Sequence, residues 1–229
     1  MRQLSAKNSI WLTLVVMLTV LKISRTANCG IRPHVKIAGG SESKIGSWPW
    51  MISLRATEYP QHLCGGVLIH QKYILTAGHC TYLFLPNQYE VHIGLHYQND
   101  TNHFVSPVKK IYRHPAYIST VDFSQTVYDF AILELERQTD NQFTVICLPR
   151  LNENINLREK MNTTTLGWGI TSSDATGLSN TLQEVTLQLL NGSSPECTQS
   201  PYGRLVVNES LQICAGRMEG GFGTCEVSL

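Results

Sequence analysis

The stretch His62-Leu-Cys-Gly-Gly-Val-Leu-Ile-His70, followed by Leu75-Thr-Ala-Gly-His-Cys80, decides how the rest of the chain is read. Gly66–His70 and Tyr73–Thr76 are short runs of the kind strands make. His79 then stands beside a cysteine, with a second cysteine 16 residues back. That places the histidine on a loop pinned by a disulfide. A histidine alone in such a place is more often structural or solvent-facing than catalytic. Zinc is a poor rival reading, because neither C-x-x-C nor H-x-x-x-H spacing occurs nearby.

Outward from this stretch the same texture continues. Trp50–Leu54, Tyr89–Ile93, Val108–Tyr112, Phe130–Leu135, Thr164–Trp168, Leu182–Leu190 and Leu211–Ala215 are short apolar or alternating runs separated by turn residues. No segment shows long helical periodicity, so the chain reads as all-β. Periodicity alone does not choose between barrels and a sandwich. The 229 residues are 42% hydrophobic and 15% charged, enough apolar material for a sizeable core. With 18 basic and 17 acidic residues the chain has no basic excess, which argues against a nucleic-acid partner. Seven cysteines, nine prolines and 17 glycines fit a loop-rich chain with disulfides. The odd count leaves at least one cysteine without a partner in the chain.

The amino terminus sets the expected compartment. Arg2 and Lys7 precede an apolar run of 12 residues, Ile10 to Leu21, and a polar stretch follows. This is the order of a secretory signal peptide, expected over residues 1–27. The run is short of the roughly 20 residues that span a bilayer, so no membrane attachment is expected after signal removal. Removing 1–27 takes four of the 18 basic residues and no acidic one, leaving a net charge of −3. Sequons begin at Asn99, Asn162, Asn191 and Asn208 and are candidate glycosylation sites.

Seven ordered motifs resemble one family. Cys64-Gly-Gly-Val-Leu-Ile with Leu75-Thr-Ala-Gly-His-Cys80 is similar to the histidine loop of the trypsin/chymotrypsin-like serine proteases. Lys36-Ile-Ala-Gly-Gly40 resembles their activation cleavage site, and Trp48-Pro-Trp-Met-Ile-Ser-Leu54 their first strand. Tyr128-Asp-Phe-Ala-Ile-Leu-Glu-Leu135 resembles the aspartate segment. Ile146-Cys-Leu-Pro149, Gly167-Trp-Gly169 and Ile213-Cys-Ala-Gly216 complete the series. The resemblance covers residues 29 to about 225. It implies two antiparallel β-barrels with the active site between them, and protein or peptide substrates or protease inhibitors as partners. It implies no cofactor. No calcium loop is expected, since Leu95 stands where calcium-binding members have a glutamate.

Carried over by motif, His79 is the general base and Asp129 the acid that orients it. The triad chemistry is a worked case for this same family and is borrowed here. A hydroxyl becomes a nucleophile only when a base near neutral pKa takes its proton, and the aspartate fixes the imidazole tautomer. Asp122 is the weaker candidate, because no apolar strand follows it. The third member is missing. The family continues to a segment like Asp-Ser-Cys-Gln-Gly-Asp-Ser-Gly-Gly-Pro, whereas here Gly223-Thr-Cys-Glu-Val-Ser-Leu229 is followed by nothing. Aligned on Cys225, Leu229 takes the nucleophile's position and Ser228 that of the aspartate which receives the new amino terminus. Val227 replaces the oxyanion-hole glycine. Ser228 as a shifted nucleophile lacks the glycines after it and the aspartate before it. An altered reading frame, a retained intron or an incomplete gene model would each give such an end.

By the resemblance Cys64 pairs with Cys80, Cys197 with Cys214, and Cys29 with Cys147, tethering a propeptide of residues 28–36. Cys225 is left unpaired, its family partner lying beyond residue 229. Cleavage at Lys36–Ile37 would open the domain, 37–229. The first barrel is expected at about 45–143, a linker at about 144–158 and a partial second barrel at about 159–229. Gly223, at the base of the specificity pocket, gives no support for a basic-residue preference. Three functions stay open: a secreted serine-endopeptidase product that is truncated and inactive, a non-catalytic homologue acting as a binding or decoy module, and a hydrolase with another nucleophile.

Overall fold

The computed structural model describes residues 29–32, 41–119, 126–140, 142–150, 159–172, 174–198 and 212–216. The expectations for the signal peptide, Lys36, Ile37, Asp122, Asn208, Cys225 and the residues after it lie outside that set, as do linker residues 151–158.

The described residues form β1 (Ser41–Glu42), β2 (Met51–Ala56), β3 (Tyr59–His70), β4 (Tyr73–Thr76), β5 (Tyr89–Ile93) and β6 (Phe104–Arg113). They continue with β7 (Ile118–Ser119), β8 (Thr126–Val127), β9 (Ala131–Leu135), β10 (Asn162–Gly167), β11 (Gln183–Leu190) and β12 (Cys214–Gly216). A one-turn helix, α1, spans Pro195–Thr198. The all-β reading holds. Six strands close into a barrel in the order β2-β3-β4-β9-β6-β5, and all its pairings are antiparallel. The second half is a four-stranded sheet with β11 at its centre, β10 on one side and β1 and β12 on the other.

The barrel closes because its strands bury one face almost completely. Ile52, Leu54, Leu68, Ile74, Val91, Ile93, Leu133 and Leu135 all have 0% exposure. Each such side chain contributes roughly 1.5–3 kcal/mol relative to exposure. Gly66 is needed for this packing: a Cβ there would lie 2.9 Å from the Leu75 carbonyl oxygen and 3.1 Å from Ile52. Gly94 has φ +88°, and a Cβ there would also lie 2.9 Å from Phe143 Cε1.

Strand β2 is buried on both faces, because its outer face meets the second half of the chain. Met51 packs with Leu95, Trp168 and Leu182. Trp48 lies against both this cluster and the barrel core. The rest of the contact includes polar pairs. The Trp168 indole N–H donates to the His96 carbonyl at 3.0 Å, and Trp48 donates to Glu184 Oε2 at 2.6 Å. His96 Nε2 meets Glu42 Oε1 at 2.8 Å.

Beside these runs a buried histidine–arginine cluster. Arg55 Nε donates to Ser53 Oγ at 3.3 Å, and Ser53 Oγ lies 2.8 Å from His62 Nδ1. Arg55 Nη2 also donates to both oxygens of Gln98, the carbonyl and Oε1, at 2.8 Å. His92 Nδ1 and His103 Nε2 are 2.7 Å apart. Burial, with the nearby Arg55 charge, lowers His62 to about 4. Burial, Arg55 and His103 lower His92 to about 3. These rings are therefore held neutral inside the fold.

Candidate active site

The site sits where β4 leaves the barrel. After Thr76 the chain turns through a single 3₁₀ turn, His79–Thr81, stabilised by the Thr81 hydroxyl donating to the Gly78 carbonyl at 2.7 Å. The Cys64–Cys80 disulfide ties this turn back to β3. Asp129 comes from the segment just before β9, the strand that pairs with β4. Two residues 50 apart in sequence are thereby brought to adjacent strand ends.

Both carboxylate oxygens of Asp129 are engaged. The His79 backbone N–H donates to Oδ1 at 2.8 Å, and His79 Nδ1 lies 2.7 Å from Oδ2. An ionised carboxylate only accepts, so Nδ1 is the donor to Oδ2, and whenever the ring is neutral its lone pair is on Nε2. Burial alone would raise the Asp129 carboxyl. Hydrogen bonds from the His79 ring and backbone and from the Gly78 backbone outweigh it, and the group lies below its ordinary value. The His79 and Asp129 side chains keep 35% and 23% exposure, so the base is reachable from solvent while the acid is sheltered. Such a pair can take up a proton at Nε2 while the carboxylate stabilises the resulting imidazolium.

Neighbouring residues shape the pair, and sequence reasoning gave them no role. A Cβ on Gly78 would meet Asp129 Oδ1 and the Tyr117 ring at 3.0 Å, so a glycine lets both close in. Tyr117 stacks on Tyr82 at 5.5 Å, and the Arg113 guanidinium lies 4.2 Å from the Tyr82 ring centre. Arg113 is itself anchored by Nε donating to Thr81 Oγ1 at 2.7 Å. A glycine directly before the histidine was the one available signal; the aromatic contacts had none.

The other candidate residues are dispersed. Cys29–Cys147 and Cys197–Cys214 are bonded, the latter joining α1 to β12. Asn99, Asn162 and Asn191 are exposed: in a turn, at the start of β10 and just past β11 respectively. Cys64, His79 and Cys80 place potential ligand atoms within 4.8 Å of one another, but the two sulfurs are bonded together and offer no thiolate. Among the described residues no helix is long and apolar enough to cross a membrane.

A His–Asp pair of this geometry at adjacent barrel-strand ends, on a closed six-stranded barrel packed against a second sheet, accords with the family match. Residues 37–226 match the family described as Trypsin. The chain belongs to the trypsin family of serine proteases. It is 32% identical over 214 residues to serine proteinase stubble of Drosophila melanogaster, covering 87% of this chain and 26% of that protein. It is 35% identical over 208 residues to bovine (Bos taurus) coagulation factor XI, covering 86% of this chain and 31% of the relative. The chain therefore spans about a quarter to a third of the length of these curated relatives. Among solved structures, neuropsin, a serine protease expressed in mouse brain, superposes with a TM-score of 0.67 at 23% identity. That match covers 82% of this chain and 78% of neuropsin and shows the shared fold.

Proposed function

We propose that this chain is a secreted member of the family that carries the acid–base half of peptide-bond hydrolysis, and that residues 1–229 by themselves perform no hydrolysis. The observation that carries the first part is the His79–Asp129 pair, with Nδ1 2.7 Å from Oδ2 and a second hydrogen bond from the His79 backbone. In this reading His79 is the general base and Asp129 fixes its tautomer. The second part rests on sequence. After Cys225 the residues are Glu226, Val227, Ser228 and Leu229, which supply no serine flanked by glycines and no oxyanion-hole glycine. A base without a positioned nucleophile and oxyanion donors leaves the main catalytic terms unused, since a misplacement of even about 1 Å costs roughly a hundredfold in rate.

Protein or peptide substrates and protease inhibitors are the partners in this reading. Secretion follows from the signal-like amino terminus, and the exposed Asn99, Asn162 and Asn191 are its glycosylation sites. Cleavage at Lys36–Ile37 does not switch the chain on, because Ser228 stands where the receiving carboxylate belongs. A buried ammonium with no counter-charge costs several kcal/mol.

A serine-directed fluorophosphonate tests both parts. The secreted 229-residue chain stays unlabelled before and after cleavage by a trypsin-type activator that is then removed. A chimera that continues after Cys225 with a family carboxy-terminal segment containing Gly-Asp-Ser-Gly-Gly becomes labelled, and loses labelling on His79→Ala. Labelling of the unmodified chain would sink the claim of inactivity. A folded chimera whose labelling ignores His79 would sink the assignment of the base.

A further inference from the structure

The residue before Asp129 is in an unusual conformation. Tyr128 has φ +54°, the left-handed region, which is disfavoured for a bulky side chain. One of the few residue types that enters it readily is glycine. Asp129 is then the centre of a tight three-residue turn, with the Phe130 N–H donating to the Tyr128 carbonyl at 2.8 Å. Strain of this kind persists only where surrounding contacts over-determine it.

Those contacts converge on one side chain. The His114 ring lies parallel to the Tyr128 ring, with centroids 4.6 Å apart and planes at 15°. The same ring lies 4.7 Å from the Phe130 ring. It therefore touches both chain neighbours of Asp129. His114 is in turn anchored by hydrogen bonds of its backbone and ring. Its backbone N–H donates to the Phe130 carbonyl at 3.1 Å, and its carbonyl accepts from Tyr117 at 2.9 Å. Its Nδ1 accepts the Ala116 N–H at 3.2 Å, which places the ring proton on Nε2.

We propose that His114 is a positioning residue: by clamping Tyr128 and Phe130 it holds the left-handed turn that aims both Asp129 oxygens at His79. The inference deepens the reading of His79 and Asp129 as the acid–base pair and rests on it. His114 acts through the backbone and touches none of the reacting atoms. Because the strain belongs to tyrosine, a glycine at 128 removes the need for the clamp, and this makes the claim separable from a merely structural role.

The readout is the hydrogen-bonded Nδ1 proton of His79, seen by NMR as a far-downfield resonance of the secreted chain and assigned by its loss in Asp129→Asn. His114→Ala is expected to lose it, His114→Phe to keep it by restoring a flat ring, and the double variant His114→Ala/Tyr128→Gly to regain it. Tyr128→Val, which opposes a left-handed backbone with His114 in place, is expected to lose it with the near-UV circular dichroism of the barrel unchanged. Full resonance in His114→Ala or in Tyr128→Val overturns the proposal, as does a loss in His114→Ala that Tyr128→Gly fails to repair. A wild-type chain with no such resonance overturns the reading of the His79–Asp129 pair itself, and the proposal with it.

Discussion

Among the described residues the six-stranded barrel closes on itself and the second sheet does not. In the barrel each of the six strands has a partner on both sides, and its largest aliphatic side chains reach 0% exposure. In the second sheet the outer edge of β10 has no strand partner among the described residues, and the best-buried leucines of β11, Leu187 and Leu189, keep 5% and 7%. His79 and Asp129 both stand on the barrel side of this contrast. The His79–Asp129 contact is therefore built from the closed half alone, at the ends of the paired strands β4 and β9.

Large-to-small changes test the contrast most strongly. Leu133→Ala is expected to cost about 3–4 kcal/mol, because a fully enclosed site cannot collapse around the cavity. Leu189→Ala is expected to cost clearly less. Denaturant melts of the two variants measure this, and equal losses would show that the second sheet is as tightly closed as the barrel. Next comes Gly66→Ala, expected to cost about 1–3 kcal/mol, since the new methyl meets the Leu75 carbonyl at 2.9 Å. A thermal melt equal to wild type would mean that β3 and β4 can part without penalty.

Acid sharpens the comparison at the buried histidines of the barrel half. Well above pH 6.5, the ordinary histidine value, neither the folded nor the unfolded chain protonates His62 or His92 appreciably. Below it the unfolded chain takes up protons that the fold refuses down to about 4 at His62 and about 3 at His92. Stability is thus complete well above pH 6.5 and falls as the pH drops, by up to about 1.4 kcal/mol per pH unit for each ring. His92→Gln is expected to flatten that slope by about one ring's share, read from melts between pH 6.5 and 4. An unchanged slope would place the acid sensitivity elsewhere. The smallest effect is expected at Leu83, which is 71% exposed. Leu83→Ser should shift stability by no more than about 0.5 kcal/mol, and a larger loss in a melt would show that the loop after His79 is braced by its apolar tip.

The same contrast explains what could be read from the sequence. Tyr73–Thr76 and Tyr89–Ile93 emerge as strands with the bounds expected, each a short run rich in apolar and aromatic residues set off by polar neighbours on its amino-terminal side. β3 is much longer than the run Gly66–His70, for it begins at Tyr59. Pro60 and the pair Gly65-Gly66 read locally as breakers, yet Gly66 is required by the approach of Leu75, a tertiary reason with no local signature. The two-residue strands β1, β7 and β8 are too short to leave a pattern. His79 and Asp129 were legible only through motif resemblance, since 50 residues separate them and no periodicity links them. The pairs His62–Ser53 and His92–His103 depend on how neighbouring segments are aligned, and the left-handed Tyr128 looks like any tyrosine in a list of letters.

The Cys29–Cys147 bond joins residues 118 apart and encloses all six barrel strands between its ends. Covalently, that stretch is a ring. One cut anywhere along it opens the ring and releases nothing: both pieces travel together, and only a reducing agent separates them. Two cuts are needed to shed a fragment, unless the inner Cys64–Cys80 bond still spans one of them. On a gel, a singly nicked chain would run as one band until thiol is added. Damage to the barrel backbone and loss of the barrel from the molecule are thus separate events.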